Sequence, residues 1–206
     1  MKKIIFCCAV FFIFGCPLCR ADGEKPGPLV TGNFDWTVSL YNGIYSQRTL
    51  GETTFSRPHQ NNDKFLHGLG LSRELAEFGD YFRLELEGIF SRHHGTYDGE
   101  YQDYEELVAA LLIRYDNFPW KDYIHISFAV GEGLSVTSKR AMHEVQSRGK
   151  TQRLLNYLAF ELAFAAPSYP RYSLVYRIHH RSGVYGLFGG VKGASDFYVL
   201  GLRYRF

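Results

Sequence analysis

Cysteine is absent from most of this sequence. All four cysteines of the 206-residue chain lie within its first 19 positions. That segment has the pattern of a secretory signal peptide, because two lysines precede an apolar run that ends at Phe14, and Ala21 offers a small residue for cleavage. A second interpretation treats Ile13–Cys16 as a lipoprotein acylation box. If residues 1–21 are removed, the rest of the chain has no disulfide, no thiolate nucleophile and no cysteine metal ligand.

Long apolar runs and an excess of one charge are missing as well. The longest apolar run after the leader, Leu107–Ile113, is much shorter than the roughly 20 residues of a membrane-spanning helix. The whole chain carries a formal charge of +2, but Lys2, Lys3 and Arg20 would leave with the signal peptide. The exported chain would then be nearly neutral, so it is not a candidate for binding nucleic acid.

Apolar and polar residues alternate with a period of two over most of the remaining sequence, which is the pattern of β-strands. Eight strands are predicted. They lie near Phe34–Ser46, Lys64–Leu75, Tyr81–Arg92, Tyr104–Tyr115, Tyr123–Leu134, Arg153–Phe164, Arg171–Gly183 and Ser195–Phe206. The connections alternate between short turns and long polar segments, and the long ones are predicted at 47–63, 93–103, 135–152 and 184–194.

The eight alternating segments and the alternation of short and long connections predict an all-β fold. We expect an eight-stranded antiparallel transmembrane β-barrel formed by residues 22–206. An even strand count, short turns at one end and longer loops at the other are typical of bacterial outer-membrane barrels. Closure of the sheet satisfies every backbone group that lipid cannot. We therefore expect export to the outer membrane. A soluble lipocalin-like barrel is the alternative, but it would turn the apolar, aromatic-rich faces inward.

The alternation also predicts which residues face lipid. In the last strand Leu200 and Leu202 share one face, while Gly201 and Arg203 share the other. The apolar face is expected to point outward. An eight-stranded barrel is just wide enough to be filled by side chains, so the inward Arg and Glu residues are expected to pair in a polar plug, without an open pore.

The stretch RIHHRSGVYG, Arg177–Gly186, holds the candidate catalytic residues. Continued alternation places His180 and Ser182 on the outward face and His179 in the lumen, so the adjacent histidines do not form a two-histidine metal site. A histidine and a serine two residues apart on one face lie side by side. The imidazole can then take the hydroxyl proton during attack on an ester carbonyl.

Asp196 in the last strand shares this outward face. In one register of the hairpin it opposes Ser182, and in the neighbouring one His180, with Cβ atoms of cross-strand neighbours about 5 Å apart. An acid that orients the base would complete a Ser-His-acid triad. The alternative interpretation is that the three polar residues lie in the headgroup zone, where polar side chains facing lipid cost less.

The His180-Arg181-Ser182 segment near the end of the penultimate strand, followed by an acid about ten residues before an aromatic carboxy terminus, resembles the lipid A 3-O-deacylases (the PagL family) and their acyloxyacyl hydrolase relatives. The resemblance covers Arg177–Phe206. It implies an eight-stranded outer-membrane barrel that hydrolyses an ester-linked acyl chain of lipid A at its lipid-facing wall. Carried over, it makes Ser182 the nucleophile, His180 the general base and Asp196 the orienting acid.

Three positions depart from the family pattern. Asp196 stands where Glu is usual, and Gly183 follows the serine where Asn is usual. The loop Gly189–Ala194 lacks the Asn-Pro-Gly-like segment that helps form the oxyanion hole of the family. Backbone N–H groups of Gly183, Gly190 or Gly193 are candidate replacements, because glycine permits close approach.

The functional hypothesis is an outer-membrane serine esterase that acts on lipid A in lipopolysaccharide and uses no metal or other cofactor. A small structural or surface-interaction barrel is the alternative from a different class, and a phospholipid-directed acyl hydrolase is a third candidate. The sequence leaves open whether the barrel forms a homodimer.

Several weaker signals surround this hypothesis. Glu132 is a second acid near the top of the fifth strand, separated from His180 by the sixth. The basic residues of the third long loop are candidate contacts for lipopolysaccharide phosphates. His59 and the His93-His94 pair are interpreted as exposed loop histidines, which are more often solvated than bound to a metal.

Overall fold

The computed structural model describes residues 36–46, 48, 50–55, 63–79, 81–97 and 99–206. The predicted signal peptide and His59 lie outside these residues. As predicted, the chain forms a closed antiparallel barrel of eight strands that neighbour one another in sequence order. The strands are β1 (Trp36–Ser46), β2 (Lys64–Phe78), β3 (Phe82–Tyr97), β4 (Glu100–Tyr115), β5 (His125–Thr137), β6 (Leu154–Ala165), β7 (Tyr172–Ser182) and β8 (Ala194–Arg205).

The prediction of a long loop at 93–103 is wrong. β3 continues to Tyr97 and β4 begins at Glu100, and these two residues are paired at the end of the hairpin. Gly99 adopts a φ of 86°, a left-handed conformation that glycine tolerates without strain. The Asp98-Gly99 dipeptide between two alternating segments is a sequence signal for a tight hairpin, and the loop prediction overlooked it.

Other connections contain short helices, α1 (Leu50–Phe55) and α2 (Met142–Arg148), and a 3-10 turn at Val184–Gly186. No helix in the described part of the chain is long and apolar enough to cross a membrane. α2 packs against β8. Its Glu144 side chain is buried and accepts hydrogen bonds from Arg181 of β7, at 2.7 Å, and from Ser195 of β8, at 2.8 Å. α2 therefore covers one end of the lumen.

The outward face of the barrel is apolar, as the alternation predicts. Leu200 and Leu202 of β8 are 57% and 64% exposed, whereas Gly201 between them is buried. The same pattern recurs around the barrel. Exposed outward side chains include Leu69, Phe90, Leu111, Leu134 and Leu174. A continuous apolar surface of this extent is suited to contact with lipid.

The lumen holds the predicted plug of paired Arg and Glu side chains. Glu161 is fully buried at its centre and lies within 2.6–2.9 Å of guanidinium nitrogens of Arg114, Arg177 and Arg203. Arg177 also contacts Glu87, with Nη1 2.8 Å from Oε2. Because each of these charges has opposite partners at hydrogen-bond distance, the cost of burying them is offset within the barrel.

Candidate active site

The β7–β8 pairing decides between the two registers that the sequence left open. His180 is the direct partner of Asp196, and Ser182 is the partner of Ala194. His180 Nδ1 lies 2.6 Å from Asp196 Oδ1. An ionised carboxylate can only accept a hydrogen bond, so Nδ1 carries the proton and Nε2 keeps its lone pair. This is the tautomer that a general base requires.

Burial and position distinguish the three candidate residues. His180 and Asp196 are 6% and 1% exposed, and Ser182 is half-buried. Ser182 lies two residues beyond His180 on the same outward face, at a rise of about 3.3 Å per residue. It makes no side-chain hydrogen bond within the described part of the chain. The structure thus joins the histidine and the acid directly and places the serine beside them without a bond to the imidazole.

The helix α1 lies on the other side of Asp196 from His180, and with these two residues and Ser182 it bounds a row of polar side chains on the outward face, called the polar row below. Asp196 is paired with Ser46 of β1 as well as with His180. The hydroxyl oxygens of Ser46 and Thr53 lie 2.9 Å apart, and Thr53 belongs to α1. α1 packs against β7 and β8, and both hydroxyl-bearing residues are buried. The acid is therefore enclosed between β7, β1 and the short helix.

Asn156 is a polar neighbour of Ser182 that the sequence interpretation missed. It is the direct partner of Ser182 on β6 and lies on the same outward face. Its Nδ2 donates to Glu132 Oε1 and to the carbonyl oxygen of Gly133, the latter at 3.1 Å. Strand alternation alone could have found it, because Asn156 interrupts the outward series of Leu154 and Leu158.

The loop that follows Ser182 has an unusual backbone. Val184 and Tyr185 have positive φ values of 45° and 55°, a region that side chains, and especially β-branched ones, rarely occupy. A Cβ on Gly183 would lie 2.1 Å from the carbonyl oxygen of Val191. The Asn that is usual at this position in the resembled family therefore does not fit this loop conformation.

The same loop narrows the choice of oxyanion donor. The N–H of Gly183 donates to the carbonyl oxygen of Gly193 at 3.1 Å, and that of Gly190 donates to Gly186 at 2.9 Å. The N–H groups of Gly183 and Gly190 are therefore already engaged in backbone hydrogen bonds. The N–H of Gly193 donates to no backbone carbonyl of the described loop, and Gly193 precedes the residue paired with Ser182. Of the three candidates, Gly193 is therefore the one whose N–H has no acceptor in the described loop, and the residue is buried.

A cleft of about 590 Å³ lies between the β5–β6 and β7–β8 connections. Its lining residues are Arg140, Gln152, Arg153, Leu154, Leu187, Phe188 and Gly189. Leu154 is two residues from Asn156 on the same outward face, so the cleft adjoins Ser182 on the side of the long loops. Neither arginine forms a salt bridge with a described residue. Arg153 Nε donates to the carbonyl oxygen of Thr137 at 2.7 Å, but neither guanidinium group has a carboxylate partner, so these arginines beside apolar side chains suit an anionic headgroup with acyl chains.

Two described histidines, His93 and His179, lie in the lumen, on the opposite face of the sheet from His180. The interpretation of His93 as an exposed loop residue is wrong, because β3 is longer than predicted and carries His93 into the lumen, where it is 2% exposed. His93, Glu106 and His179 have ligand atoms within 4.8 Å of one another and form the group of described residues that could surround a metal ion. Glu106 already has four partners there, since Ser91 and Ser135 also donate to it.

No family model matches this sequence, and no curated protein matches it. Among solved structures, the outer-membrane enzyme PagL is similar over 82% of this chain and 98% of its own, with 16% identity and a TM-score of 0.54. Neisserial surface protein A (NspA) is similar over 84% of this chain and 97% of its own, at 13% identity and a TM-score of 0.49. The outer-membrane protein OprG from Pseudomonas aeruginosa is similar over 84% of this chain and 95% of its own, with 13% identity and a TM-score of 0.45. At these identities the likeness concerns the barrel fold.

Proposed function

We propose that this chain is a bacterial outer-membrane hydrolase that removes an ester-linked acyl chain from lipid A, with Ser182, His180 and Asp196 as its catalytic residues. The observation that carries the proposal is the 2.6 Å contact between His180 Nδ1 and Asp196 Oδ1 on the outward wall, with Ser182 on the same face. An ionisable pair buried on the outward side of a membrane barrel is costly and is by default a functional hypothesis.

The arrangement supports acyl transfer in two steps. Ser182 Oγ attacks the ester carbonyl carbon while His180 Nε2 takes the hydroxyl proton, and Asp196 stabilises the resulting imidazolium. The N–H of Gly193, which has no acceptor in the described loop, would donate to the developing oxyanion. His180 then gives the proton to the departing alkoxide oxygen of the lipid. Water, deprotonated by His180 in the same way, hydrolyses the acyl-Ser182 ester and restores the hydroxyl.

The location of these residues supports a lipid substrate. The outward wall is apolar, so an acyl chain can approach Ser182 from the surrounding lipid without entering a pocket. The arginine-lined cleft beside Ser182 offers charge for a phosphate, a group that lipid A carries close to its acyl esters. The fold is shared with PagL, an outer-membrane enzyme, which accords with this location.

The decisive experiment is mass spectrometry of lipid A from cells that express the wild-type chain, Ser182→Ala or His180→Ala. We expect loss of one acyl chain only with the wild type. Ser173→Ala is the matched control, because Ser173 lies on the same strand on the lumen side, and it should behave as the wild type. The proposal fails if lipid A is unchanged although the wild-type barrel is folded in the outer membrane.

A non-enzymatic surface barrel is the second candidate, and one observation favours it: no hydrogen bond joins Ser182 to His180 in the described structure. Under that function the polar row would have no catalytic role, and the long loops would carry the surface interaction. Analysis of phospholipid from the same cells tests the third candidate, a phospholipid-directed acyl hydrolase. Such an enzyme would produce lysophospholipid and leave lipid A intact.

A further inference from the structure

Three buried side chains from three strands meet in the lumen near α2. They are His93 of β3, Glu106 of β4 and His179 of β7, called the lumen cluster below. One potential metal-ligand atom of each residue lies within 4.8 Å of those of the other two. β7 stands opposite β3 in the closed eight-stranded barrel. The cluster therefore joins two walls that share no backbone hydrogen bonds.

Both imidazoles of the lumen cluster are directed at the same carboxylate oxygen. Glu106 Oε2 lies 2.7 Å from His93 Nε2 and 3.0 Å from His179 Nε2. Ser91 Oγ donates to this oxygen at 3.1 Å and so orients the carboxylate. No lysine or arginine of the described residues forms an ion pair with Glu106. A buried carboxylate without a cationic partner is costly, so a protonated imidazole or a bound metal ion would supply the missing charge.

Aromatic side chains fix the orientation of both imidazoles. The His93 ring is stacked on Tyr104, with ring centroids 4.7 Å apart, and makes a T-shaped contact with Phe197 at 4.9 Å. His179 makes a T-shaped contact with Tyr157 at 4.8 Å. These contacts restrict rotation of the two rings and keep both Nε2 atoms directed at the carboxylate. Ligands held in this way lose little conformational freedom when an ion binds.

The cationic side chain of Arg181 lies near the lumen cluster but has its own carboxylate partner. Arg181 Nη1 is 2.7 Å from Glu144 Oε2. The guanidinium reaches the cluster only through a serine, since Arg181 Nε donates to Ser135 Oγ at 2.9 Å and Ser135 Oγ donates to Glu106 Oε1. The point between the two imidazoles and the carboxylate is therefore not occupied by this guanidinium group.

We propose that the lumen cluster binds one Zn²⁺ ion through its two imidazole nitrogens and its carboxylate. Two imidazoles and one carboxylate are a ligand set with which proteins hold zinc and leave a fourth position to water, whereas Ca²⁺ and Mg²⁺ favour oxygen ligands. Ligand atoms around a tetrahedral zinc ion are about 3.3 Å apart, so each side chain needs to move by roughly 1 Å or less. The ion ties β7 to β3 and β4 across the lumen, a role that does not depend on the proposed hydrolase activity.

The test refolds the purified full chain from urea into detergent micelles with Zn²⁺, removes free ion by desalting, and counts the bound zinc by elemental mass spectrometry. We expect one Zn²⁺ per wild-type chain, with a Kd below about 1 μM in competition with a chelator. His93→Gln and Glu106→Gln should each weaken binding by about 100-fold or more. His94→Gln is the matched control and should bind Zn²⁺ as the wild type does. His94 follows His93 on β3 but lies on the outward face, where its ring stacks on His67.

Two results would overturn the proposal. A folded wild-type barrel that retains no zinc leaves the two imidazoles as hydrogen-bond donors to Glu106 alone. Binding that survives unchanged in folded His93→Gln and Glu106→Gln places the ion elsewhere, and its loss in His94→Gln would assign it to the outward His67-His94 pair. The shift in gel mobility on heating shows that each variant is folded. Should neither lumen variant fold, X-ray absorption of Zn²⁺-loaded His94→Gln decides, because two bound imidazoles support the proposal and fewer overturn it.

Discussion

Replacement of Asp196 by Asn tests the proposed catalytic residues most directly. The change keeps the size of the side chain but removes its charge and replaces one acceptor oxygen with a donor NH2 group. In the wild type, Asp196 Oδ1 is 2.6 Å from His180 Nδ1 and fixes the proton there. An amide donor facing Nδ1 would move the proton to Nε2, where it would block acceptance of the Ser182 proton.

The expected size of the effect follows from the charge that develops on His180. Once the imidazole has taken the serine proton, its positive charge lies next to the carboxylate. Two unit charges about 4 Å apart interact by about 4 kcal/mol at an effective dielectric constant of about 20. This corresponds to about a 10³-fold change in rate. The altered tautomer adds to it, so kcat/KM should fall by at least about 10³-fold in Asp196→Asn.

The assay is release of fatty acid from a micellar ester by wild-type, Asp196→Asn and Asp196→Glu barrels. Asp196→Glu retains the charge, so we expect a much smaller loss. Asp103→Asn is the matched control, since Asp103 is a partly exposed carboxylate paired with Arg92 and Lys139 on β4, a strand that adjoins neither β7 nor β8. If folded Asp196→Asn keeps more than about a tenth of the wild-type activity, the charge argument is refuted.

Three further changes test other parts of the barrel. Glu161→Ala leaves buried guanidinium groups without their shared carboxylate, and the free energy of unfolding in urea should fall by about 3–5 kcal/mol; a barrel of unchanged stability would contradict the role of the plug. Gly183→Ala places a Cβ 2.1 Å from the Val191 carbonyl oxygen, so activity should be lost while the gel mobility of the folded barrel persists. Burial holds the pKa of the His143 imidazole in α2 well below its usual range, which disfavours the charged form in the folded state. The docking of α2 should therefore weaken as the pH falls below about 6.5, the pKa of an unfolded-state histidine. Hydrogen exchange in α2 should then become faster, and His143→Gln should abolish this pH dependence.

Strand alternation predicted the parts of the structure that depend on local pattern. Because side chains in a strand alternate strictly between two faces, the sequence was enough to place Arg177 in the lumen and Leu200 on the outer wall. It was also enough to put His180, Ser182 and Asp196 on one face. The eight strands and their order are confirmed for the same reason.

The features that the sequence did not reveal depend on loop geometry. The choice of His180 over Ser182 as the partner of Asp196 is made by the β7–β8 loop, whose Val184 and Tyr185 adopt backbone angles that their residue types do not favour. α1 and α2 have only six and seven residues, too few for a hydrophobic period to indicate a helix. The position of His93 depends on the length of one hairpin.

The alternating side chains of β7 link assembly of the barrel to the chemistry on its surface. Arg177, His179 and Arg181 enter the lumen network from the same strand that presents His180 and Ser182 to the outside. A one-residue slip of β7 during insertion would expel two guanidinium groups into hydrocarbon and turn Ser182 into the lumen. The ion pairs in the lumen therefore also favour the register of β7 in which His180 and Ser182 lie on the outward face.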